Sequence, residues 1–100
     1  MNVHRVRVLK RAERDLVELR SYLAREAPDS AGRVVGELLD AIESLARWPE
    51  RGARPRDELL RRRGFRFLVR RSYLIFFKVS GRSIWVYRVL HGRRAWSRLL

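Results

Sequence analysis

The apolar positions of this chain change period along its length, and each change marks a different kind of element. Through residues 3–8 they alternate: His4, Val6 and Val8 fall on one side, Val3, Arg5 and Arg7 on the other. That period of two predicts a short strand whose arginine-bearing face is solvated. From Leu9 the step lengthens to three and four residues, through Ala12, Leu16, Leu19 and Leu23, with Tyr22 at the flank. This is one apolar stripe on a helix over residues 10–26, with Glu13, Arg14, Asp15, Glu18 and Arg20 assigned to its other faces. The run Ala27-Pro28-Asp29-Ser30 breaks the pattern, and Asp29 or Ser30 is placed to cap the next helix. That second helix is predicted over residues 31–47, where Val34, Val35, Leu38, Leu39, Ile42, Leu45 and Ala46 form a wide apolar face. Trp48-Pro49 ends it, because the residue before a proline disfavours the helical region. Residues 49–60, punctuated by Gly52 and Pro55 and charged by Arg51, Arg54 and Arg56, read as a loop.

Residues 61–94 hold three further strands. Phe65, Phe67 and Val69 alternate with Arg66, Leu68 and Arg70, the pattern of a strand with one face buried and one partly basic. Residues 73–79 are an almost unbroken apolar run of aromatic and β-branched side chains, which suits a central strand covered on both faces. Ser80-Gly81-Arg82 is a turn, with Gly81 able to take positive φ at no steric cost. Residues 84–90 resume as the other arm of the hairpin. The order β-α-α-β-β-β predicts an α+β fold, a helical hairpin packed on a mostly antiparallel sheet. Pattern alone leaves the first strand free to sit beside any of the later three. Trp96, Leu99 and Leu100 stand at helical spacing, as a last helical turn or a tail that closes the core.

One hundred residues with 46% hydrophobic side chains predict one globular domain, residues 1–100. No apolar run approaches the roughly 20 residues needed to cross a bilayer. The first residues have no uninterrupted apolar stretch of the kind a secretory signal carries. There is no Cys, hence neither disulfide nor thiolate zinc site, and His4 and His91 are too dispersed for a metal site. A cytoplasmic protein without metal or cofactor is expected. The net charge of +13 changes the picture more. All eleven acids lie at or before Glu58, while residues 59–100 carry twelve Arg or Lys and no acid, so the excess sits on the sheet half. A one-signed half attracts an anionic partner, nucleic acid or acidic protein. Twenty-two of the cations are Arg, through codon bias or for the bidentate fork that Arg presents to carboxylate and phosphate.

Several pieces, in order over nearly the full length, carry a resemblance: Ala12-Glu13-Arg14-Asp15-Leu16 with Tyr22, Ile42-Glu43-Ser44-Leu45 with Trp48-Pro49-Glu50-Arg51-Gly52, Gly64-Phe65-Arg66, the strand from Tyr73 to Val79, and Arg88-Val89-Leu90-His91-Gly92-Arg93-Arg94. The chain resembles the ParE/RelE superfamily of bacterial type II toxins, nearer the ParE branch. The resemblance implies a small basic toxin held inactive by a cognate antitoxin, whose acidic or amphipathic segment folds onto it. ParE-like members inhibit DNA gyrase without hydrolytic chemistry. RelE-like members cut messenger RNA on the ribosome with basic residues that activate the 2′-hydroxyl, stabilise the phosphorane and protonate the leaving oxygen. The nuclease pattern asks for lysines on the second strand, an Arg after the central-strand Tyr, a late Arg, and a Tyr or His near the end. Here the second-strand positions are apolar or near Arg66, Leu74 follows Tyr73, Arg93 or Arg94 matches the late Arg, and no Tyr follows Tyr87. A nuclease reading would therefore rest on His91, Arg93 and Arg66. Antitoxin or target contacts are expected at Arg61, Arg62, Arg66, Arg70, Arg71, Arg93 and Arg94, with gyrase as the target and the ribosome as the alternative. Arg66, Arg70 and Arg71 also read as a charged edge-strand face kept soluble. Trp85, Tyr73 and Phe76 read as core, and exposure decides whether any of them offers a base-stacking platform.

Overall fold

Both amphipathic helices form, and they cover one face of the sheet. The computed structural model describes residues 3–92 and 98–100. Strand β1 (Arg5–Val8) leads into helix α1 (Lys10–Glu26) and helix α2 (Pro28–Ser44). A 3-10 turn (Pro49–Arg51) and a short helix α3 (Glu58–Arg62) precede β2 (Phe65–Arg70), β3 (Tyr73–Ser80) and β4 (Ser83–His91). The expected β-α-α-β-β-β order is present, and the fold is α+β. The sheet order is β1-β4-β3-β2. Both later hairpins are antiparallel, while β1 runs parallel to β4 from Arg5 opposite Ser83 to Val8 opposite Val86. The first strand thus takes the edge beside the last.

The sheet is buried on both sides. On the helix side, Ala12, Leu38, Leu45, Ile75, Phe77, Ile84 and Val86 are fully enclosed. On the outer side, Leu60, Phe65, Leu74, Phe76 and Leu90 form a second cluster, with Phe67, Tyr87, Leu99 and Leu100 packed on it. The central strand is therefore covered on both faces, as its apolar run predicts, and each enclosed Leu, Ile or Phe of it contributes about 1.5–3 kcal/mol. Strand β2 follows its expected split only in part. Phe65 and Phe67 join the outer cluster, but Leu68 is buried on the helix side and Val69 is 52% exposed. Tyr87 is an extra residue in β4, because Phe76 opposes Arg88 while Phe77 opposes Val86.

Three boundaries differ from expectation. Helix α2 starts at Pro28, with Ala27 as its N-cap and no side-chain cap from Asp29 or Ser30. Proline suits the first helical position, where its missing N–H is not needed. The helix ends at Ser44, before the Trp48-Pro49 stop, and the Trp48 N–H donates to Ser44 O at 3.1 Å. The supposed loop holds α3, capped by Asp57, whose carboxylate accepts the Leu60 N–H at 3.0 Å. Before it, Ala53 exchanges two backbone bonds with Phe67, at 2.8 and 2.9 Å, and covers part of the β2 edge. Gly52 lies so close to the ring of Phe77 that any Cβ would overlap it. Gly81 takes φ +58, as its turn requires.

Candidate functional site

Strand β1 stops at Val8, and the last backbone link on that edge is the Leu9 N–H donating to Val86 O at 3.0 Å. Beyond it a side chain of α1 replaces the missing strand. Asp15 Oδ2 accepts the Val89 N–H at 3.0 Å. The same carboxylate receives two arms of Arg88, Nε to Oδ2 at 2.8 Å and Nη2 to Oδ1 at 3.1 Å. The remaining Nη1 of Arg88 donates to Leu99 O at 3.0 Å. The two side chains are only 4% and 7% exposed. A buried pair of this kind persists when hydrogen bonds fill the sites that water would otherwise serve, and here they do. The expectation that Asp15 lies on a polar face of α1 is thus corrected. Position 15 is three residues after Ala12 and four before Leu19, so it falls on the stripe itself. An acid on an apolar stripe, with one Arg in an otherwise apolar strand, was the legible signal for the pair.

The site residues expected from sequence separate to two ends of the sheet. At one end Glu18, Leu19, Tyr22, Tyr73 and His91 border a hollow of about 360 Å³ beside Asp15. Burial pushes the Tyr73 phenol above its usual range, and nearby Tyr22 adds to the effect. The His91 and Tyr73 rings meet edge to face, 5.5 Å between centroids. Arg71, in the β2–β3 turn at φ +54, donates to Glu37 of α2. That bond holds the Glu37 carboxyl below the usual range and raises Arg71. Arg70 borders a shallow hollow with Glu37 and Asp40.

At the other end Arg61 and Arg66 border a smaller hollow with Arg54 and Gly64. Arg62 pairs with Glu58 at 2.9 Å, an exposed i,i+4 pair of small energetic weight. Lys78 Nζ lies 4.4 Å from the Phe65 ring centre and 5.0 Å from that of Tyr87, and the Arg7 guanidinium is 5.3 Å over Trp85. Phe76 is fully buried as expected, but Trp85 and Tyr73 are only half-buried. Arg93 and Arg94 lie outside the described residues. Among the described residues no group of His, Asp and Glu is arranged to hold a metal, and no helix is long and apolar enough to cross a membrane.

The family profile described as ParE toxin of type II toxin–antitoxin system, parDE, matches residues 6–96. The chain belongs to the ParE toxin family. It is 31% identical over 100 residues, the whole of both chains, to the candidate toxin Y4kP of Sinorhizobium fredii. Its fold superposes on the chromosomal ParDE system from P. aeruginosa with a TM-score of 0.75 at 20% identity, covering 91% of this chain and 98% of that one. It superposes on the RelBE2 toxin–antitoxin complex of Mycobacterium tuberculosis with a TM-score of 0.68 at 25% identity, covering 91% and 93%.

Within this ParE-family chain, the nuclease candidates that can be placed do not converge. Arg66 opposes Phe77 on β3, whereas His91 opposes Tyr73. Four residues of strand and two inter-strand spacings separate them, about 13 Å along the sheet and about 10 Å across it. The surface between is also apolar. Phe65 and Phe67 hold the second-strand positions, Leu74 follows Tyr73, and all three belong to the outer cluster that Leu99 and Leu100 pack against.

Proposed function

We propose that this ParE-family toxin inhibits DNA gyrase, performs no hydrolysis itself, and is neutralised in the cytoplasm by a cognate antitoxin. The observation that carries this reading is the hydrophobic outer face. Cleavage through a 2′-hydroxyl needs a base, a phosphorane stabiliser and an acid within reach of one phosphate. Phe65, Phe67 and Leu74 supply none of these functions, and Arg88 is committed to Asp15. A toxin that binds instead of cutting needs only surface, and the +13 charge favours an acidic antitoxin segment. Screening by salt therefore weakens the toxin–antitoxin complex; an affinity flat across salt would point to an apolar contact instead.

Expression of the chain alone is expected to arrest bacterial growth, and co-expression of a short acidic neighbouring gene product to relieve it. The mechanism is tested with one protein preparation in two assays. Gyrase supercoiling should be inhibited while ribosome-bound message stays intact. Message cut at the ribosomal A site, slowed about 100-fold or more by His91→Ala with gyrase unaffected, would overturn the proposal in favour of a nuclease.

A further inference from the structure

The end of the sheet around Gly64 takes no part in the buried ion pair, and three of its arginines meet no acid among the described residues. Arg54 from the loop, Arg61 from α3 and Arg66 from β2 converge on a hollow of about 170 Å³. No ion pair among the described residues engages any of the three. At roughly 30 Å³ per water, the hollow has room for one phosphate group. Arginine suits such a group because its planar fork offers two parallel donors.

This hollow shares Gly64 and Val79 with a larger one of about 570 Å³, so the two form a single groove around the α3–β2 junction. Gly64 has φ +86, and a Cβ built on it would meet nothing within 4 Å, so the groove is open there. Trp85 and Tyr87 wall the larger part together with Lys78 and Arg63. The rings hold cations over their faces: Lys78 over Tyr87 at 5.0 Å, and Arg7 over Trp85 at 5.3 Å. Rings interleaved with fixed cations, next to an arginine hollow, answer the two halves of a nucleotide. Phosphate takes the guanidinium fork, and a base stacks on an aromatic or guanidinium plane.

We infer that this groove binds a single-stranded nucleic-acid segment, with a backbone phosphate at Arg54, Arg61 and Arg66 and a base against Trp85, whose ring also carries the Arg7 guanidinium. A single strand fits better than a duplex, because the planes of duplex bases are covered by their neighbours. An acidic peptide is the rival occupant. It would satisfy the arginines but would draw no stacking from Trp85. The inference does not depend on the gyrase reading, since binding is measured without gyrase and either can fail alone.

The test uses the full chain and fluorescence anisotropy with labelled oligonucleotides of about 12 nucleotides, within the usual span of single-strand sites. DNA and RNA single strands are compared with a duplex of equal length, and whichever single strand binds more tightly names the source. A single strand should bind more tightly than the duplex, with affinity falling as salt rises. Arg61→Ala and Arg66→Ala should each weaken binding and flatten its salt dependence, while Arg25→Ala, at the far end of α1, should leave both unchanged. Trp85→Ala should weaken binding about 5- to 100-fold, and Trp85→Phe, which keeps a flat ring, should retain most of it. Should Trp85→Ala fold poorly, the phenylalanine and arginine variants carry the test. Equal affinity for duplex and single strand, slopes unmoved by the arginine variants, or displacement of the oligonucleotide by polyglutamate at matched charge would overturn the inference, the last result assigning the groove to an acidic peptide.

Discussion

The two ends of the sheet use the same residue type in opposite ways. At the Tyr73 end, arginine is structural. Arg88 is enclosed with Asp15, and Arg71 is tied to Glu37. At the Gly64 end, Arg54, Arg61 and Arg66 face a hollow, and none of them meets an acid among the described residues. A count of charges cannot distinguish these roles. What separates them is where the few acids project: Asp15 and Glu37 reach the first end from α1 and α2, while Asp57 and Glu58 are occupied within α3 by its cap and by Arg62. The net charge is therefore concentrated functionally as well as in sequence.

The sharpest way to break this comparison is to open the buried pair. Arg88→Ala should cost about 3–5 kcal/mol in denaturant unfolding, because Asp15 would remain buried without its bidentate partner, with only Arg11 at 3.4 Å and the Val89 N–H left to it. Asp15→Leu combined with Arg88→Met should recover most of the loss; a single-variant cost below about 1 kcal/mol would mean the pair behaves like a surface one. Next in size is Gly52→Ala, expected to cost about 1–3 kcal/mol, since the new methyl would press on the enclosed Phe77 ring. At the Gly64 end, Arg61→Ala and Arg66→Ala should change stability by no more than about 0.5 kcal/mol, and a larger loss would make those arginines structural too. The smallest effect belongs to Glu37→Gln. Because the Glu37 carboxyl is held low by Arg71, its contribution is present above the ordinary glutamate range and is lost as pH falls through that range and below. Thermal melts at neutral and acid pH should show a slightly weaker acid dependence in the variant, and an unchanged one would leave the Arg71 contact without thermodynamic weight.

Helix α1 was legible to its last residue, because its stripe is regular over four turns and Ala27-Pro28 interrupts it. The central strand was equally legible from its unbroken apolar run. Helix α3 was not, since five residues are too few to establish a period, although Asp57 three positions before Leu60 is a capping signal. The place of β1 was beyond reach because strand partners far apart in sequence leave no local trace. Among the candidate arginines, Arg66, Arg70 and Arg71 are near one another in sequence, but the β2–β3 hairpin carries Arg70 and Arg71 to the end opposite Arg66. Trp85 read as core because its neighbours Ile84 and Val86 are core, and the pleat turns it the other way.

The parallel pairing of β1 with β4 also sets an order of events during synthesis. Arg5 meets Ser83 across the sheet edge, so β1 has no strand partner until β4, far along the chain, has been made. The two helices and the antiparallel hairpins involve shorter separations and can form beforehand, since contacts distant in sequence are the slow ones to close. Asp15 must likewise wait for Arg88. The nascent toxin thus carries its first strand and helical hairpin before any sheet exists, and the closing of the β1 edge is a late event.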